Sequence, residues 1–539
     1  MTMTAPDNSL WLSDLNDAEL VGLSLGDGLR LAARRWGQAE AAVCLRQPEG
    51  RDVRWTFAVL DQLSERLAGA VLGAGFAPGE RVAIWAPNDA HWILLEYALA
   101  KAGVVIVAID PLYKRAELTH ALNTAGVVGV FHADEAGGQA LGGLLDQAAA
   151  DVPTLRAHYS LTEGVRGLLE GAGQSRELPI VDPRGVMMIQ YTSGTTGAPK
   201  AAQLSHEGVG TVARNSYRCW GFGAGDRVCH GFPLFHVGGS GNSTPGSMYV
   251  GAASLPLYTF KAEQALDILE QERCTGFIGV PTMLTAMLAH PSLPGRDLSA
   301  LRCIVIGGAP VAPSLLAACE AGFGAKTCNG YGQTETSGVM TSTTPDDAPE
   351  RKSQTCGRAL PGVSLKVLGP DGRLVCRGEP GELHSAGPGS MLGYLGAGDG
   401  PGACGPGAWI NTGDLAVMDD EGYVRIVGRT KEMIIRGGEN LYPAEIEKYL
   451  LDHPDVAEVA VIGVPDPKYG EELCAVLRLH PGAEVTPEAF RAWCLSYLSR
   501  WKAPRYVTFV DAMPMTPSGK IRKHELKALI ASSLITQDA

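Results

Sequence analysis

Up to about Gly362, apolar and polar positions alternate between two periods. The runs ERVAIWAP, GVVIVAID, GVVGVFH and LRCIVIGGAP read as strands buried on both faces. Between them, FAVLDQLSERLAGAVLGAG and LLEYALAKAG repeat their apolar positions at helical spacing. This alternation predicts α/β layers around largely parallel sheets. From about Gly362 the chain breaks into short strands punctuated by Pro-Asp-Gly and Glu-Pro-Gly, as in GVSLKVLGPDGRLVCRGEPGELHSAG, which predicts hairpins and a small β-rich subdomain. After GYVRIVGRTKEM the pattern mixes again. A helix is expected from NLYPAEIEKYLLDH, a strand in VAEVAVIGV, and helices in PEAFRAWCLSYLSR and HELKALIASSL. The change of texture puts a domain boundary near Arg429 to Lys431, separating a large N-terminal domain, 1–429, from a small α+β C-terminal domain, 430–539. SLPGRDL and GAGDGPGACGPG read as surface loops.

Composition agrees with more than one domain, since 539 residues with 45% hydrophobic and 19% charged are too many for one compact core. Lys plus Arg number 45 against 58 Asp plus Glu, a net charge of -13, which argues against a nucleic-acid scaffold held by bulk positive charge. The 12 cysteines are scattered from Cys44 to Cys494 without a C-x-x-C pair or metal-type spacing, so they read as thiols of a reducing compartment, and zinc is not implied. The N-terminal MTMTAPDNSLWLSDLNDAEL lacks the basic and apolar regions of a secretory signal. No apolar run approaches the roughly 18 residues that span a bilayer. A cytoplasmic protein is the expectation.

One loop changes the picture. YTSGTTGAPK, Tyr191 to Lys200, follows the apolar run GVMMIQ and combines glycines with Ser193, Thr195, Thr196 and a terminal lysine. Backbone N–H groups exposed at Gly194 and Gly197, the hydroxyl donors and the Lys200 charge suit a polyphosphate. The spacing is not G-x-x-x-x-G-K-[ST]: Ala198 and Pro199 separate Gly197 from Lys200, and Ala201 stands where a metal-binding hydroxyl would follow. By its composition alone, the loop also fits an ordinary mobile connection.

Four further segments follow in order: NGYGQTE (Asn329 to Glu335), WINTGDLA (Trp409 to Ala416), GRTKEMIIRGGENLYPAEIE (Gly428 to Glu447) and PMTPSGKIRK (Pro514 to Lys523). With YTSGTTGAPK and its continuation Leu204, Ser205, His206, they make the chain similar to the adenylate-forming superfamily of acyl- and aryl-CoA synthetases, luciferases and peptide-synthetase adenylation domains. The resemblance runs from about Gly28 to about Ala531. It implies that Thr192, Ser193, Gly194, Thr195, Thr196, Gly197 and Lys200 hold the β- and γ-phosphates of ATP. Asn329, Gly330, Tyr331 and Gly332 would line the nucleotide, with Tyr331 stacked on adenine, and Gly308 of the IGGAP run would form a nucleotide-facing turn. Thr334 would face the α-phosphate, and Glu335 with Thr196 would bind Mg²⁺. By the same resemblance, Asp414 accepts the ribose hydroxyls, Arg429 assists there, and Lys431 stands at the hinge, where the family often has Asp. Lys520 is the lysine that enters the site for adenylation, carried by a mobile C-terminal domain.

FPLFHVGGSGNSTPG, Phe232 to Gly246, resembles the family's acyl-pocket segment, with His236 at a position implicated in pocket gating and thioester access. Small residues from Gly238 to Gly241 suggest a roomy pocket without an obvious charge, which favours an apolar acid: medium-chain fatty, alicyclic and aryl acids all stay open. The GGEN form at Gly437 to Asn440 is similar to that of fatty- and medium-chain acyl-CoA synthetases, where Gly437 and Gly438 would line the pantetheine tunnel. The resemblance therefore implies an AMP-forming acyl-CoA ligase with ATP, Mg²⁺ and CoA, and it suggests a homodimer, as in many members. An acyl-AMP ligase loading a separate carrier protein is the alternative. A non-catalytic nucleotide- or acyl-binding protein would show degraded motifs, and Glu335, Asp414, Arg429 and Lys520 are all intact.

Overall fold

The computed structural model describes residues 8–13, 20–171, 176–192, 200–397, 405, 407–437, 439–515 and 521–534. Two large sheets form the frame of the N-terminal part. In the first, seven strands run in the order Gly393–Tyr394, Lys200–Ser205, Val186–Thr192, Val105–Ile109, Arg81–Trp85, Gly129–His132 and Ala157–Ser160. Its inner strands pair in parallel, and VIVAI at Val105–Ile109 is buried at every position, as expected for a strand covered on both faces. The crossover helix Ala90–Ala102 starts where the Asp89 side chain accepts from the His91 N–H. It ends at Gly103 with φ 68°, the left-handed conformation that glycine takes without steric cost.

The second sheet has nine strands. Parallel pairs join Arg227–His230 to Ala253–Pro256 and Gly276–Gly279, then Cys303–Gly307 and Lys326–Gln333. The antiparallel strand Gly338–Ser342 follows, and Glu40–Cys44 with Val53–Thr56 closes the far edge. Helix His206–Cys219, capped by Ser205, packs beside helix Thr244–Val250.

The β-rich subdomain is a five-stranded antiparallel sheet, and its strand Ile410–Met418 alternates between buried and more exposed positions, as one face meets solvent. Its edge strand is Leu10–Trp11, paired with Ser364–Leu368. Nothing in the polar N-terminal sequence announces that strand.

Beyond Arg429, a separate sheet brings together Glu439–Leu441, Ile434–Arg436, Gly470–Leu479, Val456–Asp466 and Tyr506–Phe509. Helices Pro443–Leu450, Pro487–Tyr497 and Lys523–Leu534 accompany it, and its two apolar clusters draw only on residues from Ile434 onward. Asn440 and Leu441, the start of the stretch expected to be helical, instead belong to the return strand Glu439–Leu441 of a hairpin, and the helix begins at Pro443. The eleven described cysteines form no disulfide. Burial pushes thiols such as Cys319 and Cys474 up to about 12, so they are protonated and unreactive at neutral pH.

Candidate active site

Strand Val186–Thr192 folds back antiparallel onto Lys200–Ser205 with Thr192 opposite Lys200, so the phosphate-type sequence spans the reversal of a hairpin. Ser193, Gly194, Thr195, Thr196 and Gly197 lie outside the described residues. The strands that flank them are firmly held. The Gln190 amide, almost fully buried, donates to Ser240 Oγ at 3.1 Å, and the Tyr191 hydroxyl donates to the Ala121 carbonyl at 2.5 Å. Lys200 is exposed, and its Nζ stands 5.0 Å from the centre of the Tyr394 ring. Tyr394 pairs with Ala202 across the sheet, and its hydroxyl donates to Glu335 Oε1 at 2.6 Å. One tyrosine thereby connects the lysine at the foot of the loop to the carboxylate of NGYGQTE.

Glu335 sits in the single turn Thr334–Thr336 that ends strand Lys326–Gln333. Its carbonyl accepts from the Met391 N–H at 2.9 Å, which ties this turn to the segment before Tyr394. Asn329 is turned away from the turn, with its side-chain amide donating to the Thr355 carbonyl at 2.9 Å.

The two glycines around Tyr331 do different work. A Cβ on Gly332 would fall 1.8 Å from the Gly338 carbonyl oxygen, so close strand pairing requires this glycine. At Gly330 such a Cβ would meet Ser342, Trp220 and Val339 at 3.9 Å, an ordinary contact that leaves room for it. Gly308, φ +81°, follows the neighbouring strand and takes the left-handed region, with Phe232 and Val280 against it.

The Tyr331 hydroxyl donates to Asp414 Oδ2, and Arg429 Nε lies 2.9 Å from Asp414 Oδ1. Asp414 and Arg429 face each other on adjacent antiparallel strands, Ile410–Met418 and Val424–Arg429, so the register itself sets the pair. Burial pushes the Tyr331 phenol well above its ordinary value, and the neighbouring Asp414 adds to the effect, so Tyr331 remains a donor. Burial alone would lower the Arg429 guanidinium, but Asp414 and Glu432 more than offset it and raise it. The nine-stranded sheet and the β-rich subdomain are thus joined by a polar network of a tyrosine hydroxyl, a carboxylate and a guanidinium.

His236 caps a seven-residue π-helical segment, Val237–Ser243, and its Nδ1 accepts from the Gly238 N–H at 3.2 Å. Such wide turns concentrate at functional sites. The glycines here do not provide the room expected of them. A Cβ at Gly238, Gly239 or Gly241 would lie 2.8 Å from Phe232 Cδ1, 2.2 Å from the Pro233 oxygen or 2.6 Å from Val237 Cγ2. Their smallness lets the wide turn pack onto its neighbours.

Lys431 is exposed in the turn between Val424–Arg429 and Ile434–Arg436, where the Glu432 and Met433 N–H groups both donate to the Arg429 carbonyl. Gly437, φ +61°, opens the hairpin reversal in the C-terminal part. Gly438 and Lys520 lie outside the described residues. The structure therefore gathers Lys200, Glu335, Tyr331, Asp414 and Arg429 into one connected stretch of the molecule. Tyr394, the link between two of them, was missed by the sequence reading. Its only signal is an aromatic residue after glycine in SMLGYLG.

The sequence profile of the AMP-binding enzyme family matches residues 29–395, and that of the AMP-binding enzyme C-terminal domain matches 445–520. The putative acyl-CoA synthetase YngI of Bacillus subtilis (strain 168) is 36% identical, over 95% of this chain and 97% of its own. The mitochondrial medium-chain acyl-CoA ligase ACSF2 of Mus musculus is 34% identical, over 95% of this chain and 88% of its own. The crystal structure of ATP-bound MatB from Rhodopseudomonas palustris superposes with a TM-score of 0.83 at 28% identity, covering 93% of this chain and 99% of that one. The chain belongs to the AMP-binding enzyme family, the adenylate-forming superfamily of the sequence resemblance. It is an AMP-forming acid–thiol ligase, with ATP and CoA as co-substrates. Among the described residues, no helix is long and apolar enough to cross a membrane.

Proposed function

We propose that the enzyme activates a medium-chain fatty acid or an apolar acid of similar size as its acyl-adenylate, and passes the acyl group to the CoA thiol at the same site. The observation that carries this reading is the connected set Lys200, Tyr394 and Glu335 beside Tyr331, Asp414 and Arg429, which brings together groups suited to phosphate, metal, base and ribose. The medium-chain preference is supported by the similarity to ACSF2 along nearly the whole chain.

In the first step Tyr331 stacks on the adenine, Asp414 and Arg429 orient the ribose, and Gly308 and Asn329 to Gly332 border the nucleotide. Thr192 to Lys200 grip the β- and γ-phosphates, and Thr334 donates to the α-phosphate. The acid's carboxylate attacks the α-phosphorus and expels pyrophosphate while Lys520 bridges the developing charge. Mg²⁺ would be held by Glu335 with Thr196 and would neutralise charge on the leaving phosphates. The donor set fits that ion, since the Glu335 carboxylate offers hard oxygens. A cation shared between one carboxylate and the substrate's phosphates is the usual arrangement for Mg²⁺.

In the second step the C-terminal domain, 430–539, turns on domain 1–429 about Lys431, withdrawing Lys520 and presenting Gly437 and Gly438 along the path of the thiol. His236 gates thiol access to the acyl carbonyl. The protein acts in the cytoplasm as a homodimer. The reading is tested by AMP release over a panel of fatty, alicyclic and aryl acids, each with and without CoA. CoA-dependent AMP release that peaks with medium-chain fatty acids is expected. Release that needs a carrier protein instead of CoA would overturn the acceptor assignment.

A further inference from the structure

The reversal that carries Gly437 is braced by a residue to which nothing above gives a role. Strands Ile434–Arg436 and Glu439–Leu441 pair with Arg436 opposite Glu439, so Gly437 stands where the chain begins to turn. Arg436 stands at the foot of that turn with its side chain drawn inward, nine-tenths buried. Its Nη1 donates to the Trp501 carbonyl at 2.6 Å, and its Nη2 lies 2.7 Å from Oε2 of the fully buried Glu472. The guanidinium also lies 4.5 Å from the centre of the Trp501 ring and 5.4 Å from that of Tyr469, and the two rings meet edge to face at 5.6 Å. The same aromatic pair reaches the turn itself. Gly437 donates its N–H to the Tyr469 carbonyl at 2.8 Å, and a Cβ there would lie 3.2 Å from Tyr469 Cδ1 and 3.3 Å from Trp501 Cη2.

A planar guanidinium that donates to a carbonyl and pairs with a buried carboxylate while covered by two rings is a fixed object, and a lysine ammonium cannot reproduce it. The turn is thereby held in one shape before any domain movement. A two-glycine reversal without such bracing would sample many conformations, because glycine restricts its backbone least of all residues.

We infer that Arg436 is a positioning residue for the thioester-forming step: clasped by Glu472, Tyr469 and Trp501, it pre-shapes the Gly437 turn that will border the CoA thiol. The inference rests on the reading of Gly437 given above and adds the element that makes its geometry definite. None of these residues contacts ATP or the acid in the scheme, so adenylation does not depend on the clasp.

The test separates the half-reactions. Arg436→Lys keeps a positive charge facing Glu472, and the paired variant Arg436→Met/Glu472→Met removes both buried charges together, so that neither is left uncompensated. Acid-dependent pyrophosphate exchange should stay within about two-fold of wild type in both variants, while conversion of pre-formed acyl-adenylate to thioester slows about ten-fold or more. The loss should fall on the rate at saturating CoA rather than on the KM for CoA. Thioester formation at the wild-type rate, or equal loss of both half-reactions, would overturn the inference. A wild-type enzyme that leaves acyl-adenylate unconverted in the presence of CoA would instead overturn the acceptor reading, and the inference with it.

Discussion

Asp414 accepts from the Tyr331 hydroxyl on one oxygen and pairs with Arg429 on the other, in a nearly buried position. Replacing it by Asn preserves size and one acceptor but removes the charge that both partners face. Hydrogen bonds to charged groups are worth about 1.5–3 kcal/mol, so Asp414→Asn should lower kcat/KM for ATP about 10- to 100-fold. Steady-state kinetics with ATP varied should place the larger part of the change in KM. A second residue makes its effect felt through pH. His206, which follows the phosphate-type hairpin and is almost wholly buried, accepts the Leu25 N–H on Nδ1 at 3.3 Å, and burial lowers its pKa to about 4. The folded value lies below the ordinary 6.5, so the unfolded chain takes up the proton first as pH falls. Stability is full above about pH 6.5 and declines toward pH 4, by about 3 kcal/mol from this group. His206→Asn keeps an acceptor for Leu25 and does not titrate. Its denaturant midpoint, followed from pH 7 to pH 4, should fall less steeply than that of the wild type.

Among the elements, strand Lys326–Gln333 shows how closely sequence and site are linked and where the link breaks. Tyr331, Thr334 and Glu335 could be singled out because they fall within one short motif, which the fold keeps together on one strand and the turn that ends it. Asp414 and Arg429 were legible as separate motifs, but their pairing is a matter of strand register, which neither motif contains. Tyr394 was not legible at all, since its tasks arise only when a two-residue strand meets Lys200–Ser205 and comes within reach of Glu335. Gly330 and Gly332 shared one expected role, close approach to nucleotide, because a sequence cannot show which glycine faces a neighbouring strand. Their difference is testable. Gly332→Ala drives a Cβ into the Gly338 carbonyl and must displace strand Gly338–Ser342, an overpacking that should cost about 1–3 kcal/mol and lower the thermal midpoint. Gly330→Ala meets only ordinary contacts, with Ser342, Trp220 and Val339, and should leave that midpoint near wild type. The glycines of Val237–Ser243 teach the same lesson, since their smallness is taken up by Phe232, Pro233 and Val237.

At the scale of the whole molecule, the part beyond Arg429 meets the N-terminal part at identifiable points. Helix Pro443–Leu450 lies on strand Val424–Arg429, and the Lys448 ammonium donates to the Ser353 carbonyl at 2.8 Å. A bridge from Met515 to Ile521 closes the base of the segment holding Lys520. Just past it, the positive charge of Arg522 is felt by Asp110 at the end of an inner strand of the seven-stranded sheet. Burial raises Asp110 to about 6, and the charge of Arg522 opposes that rise. If one site runs two reactions by exchanging the faces of the C-terminal domain, the two half-reactions must be separable by mutation, since the groups they need lie on different segments. In the proposed scheme, Lys520→Ala removes a charge used only while pyrophosphate leaves. It should abolish acid-dependent pyrophosphate exchange and leave thioester formation from synthetic acyl-adenylate largely intact. A single fixed arrangement serving both steps would instead make Lys520→Ala slow both to the same extent, and that outcome would remove the swinging domain from the mechanism.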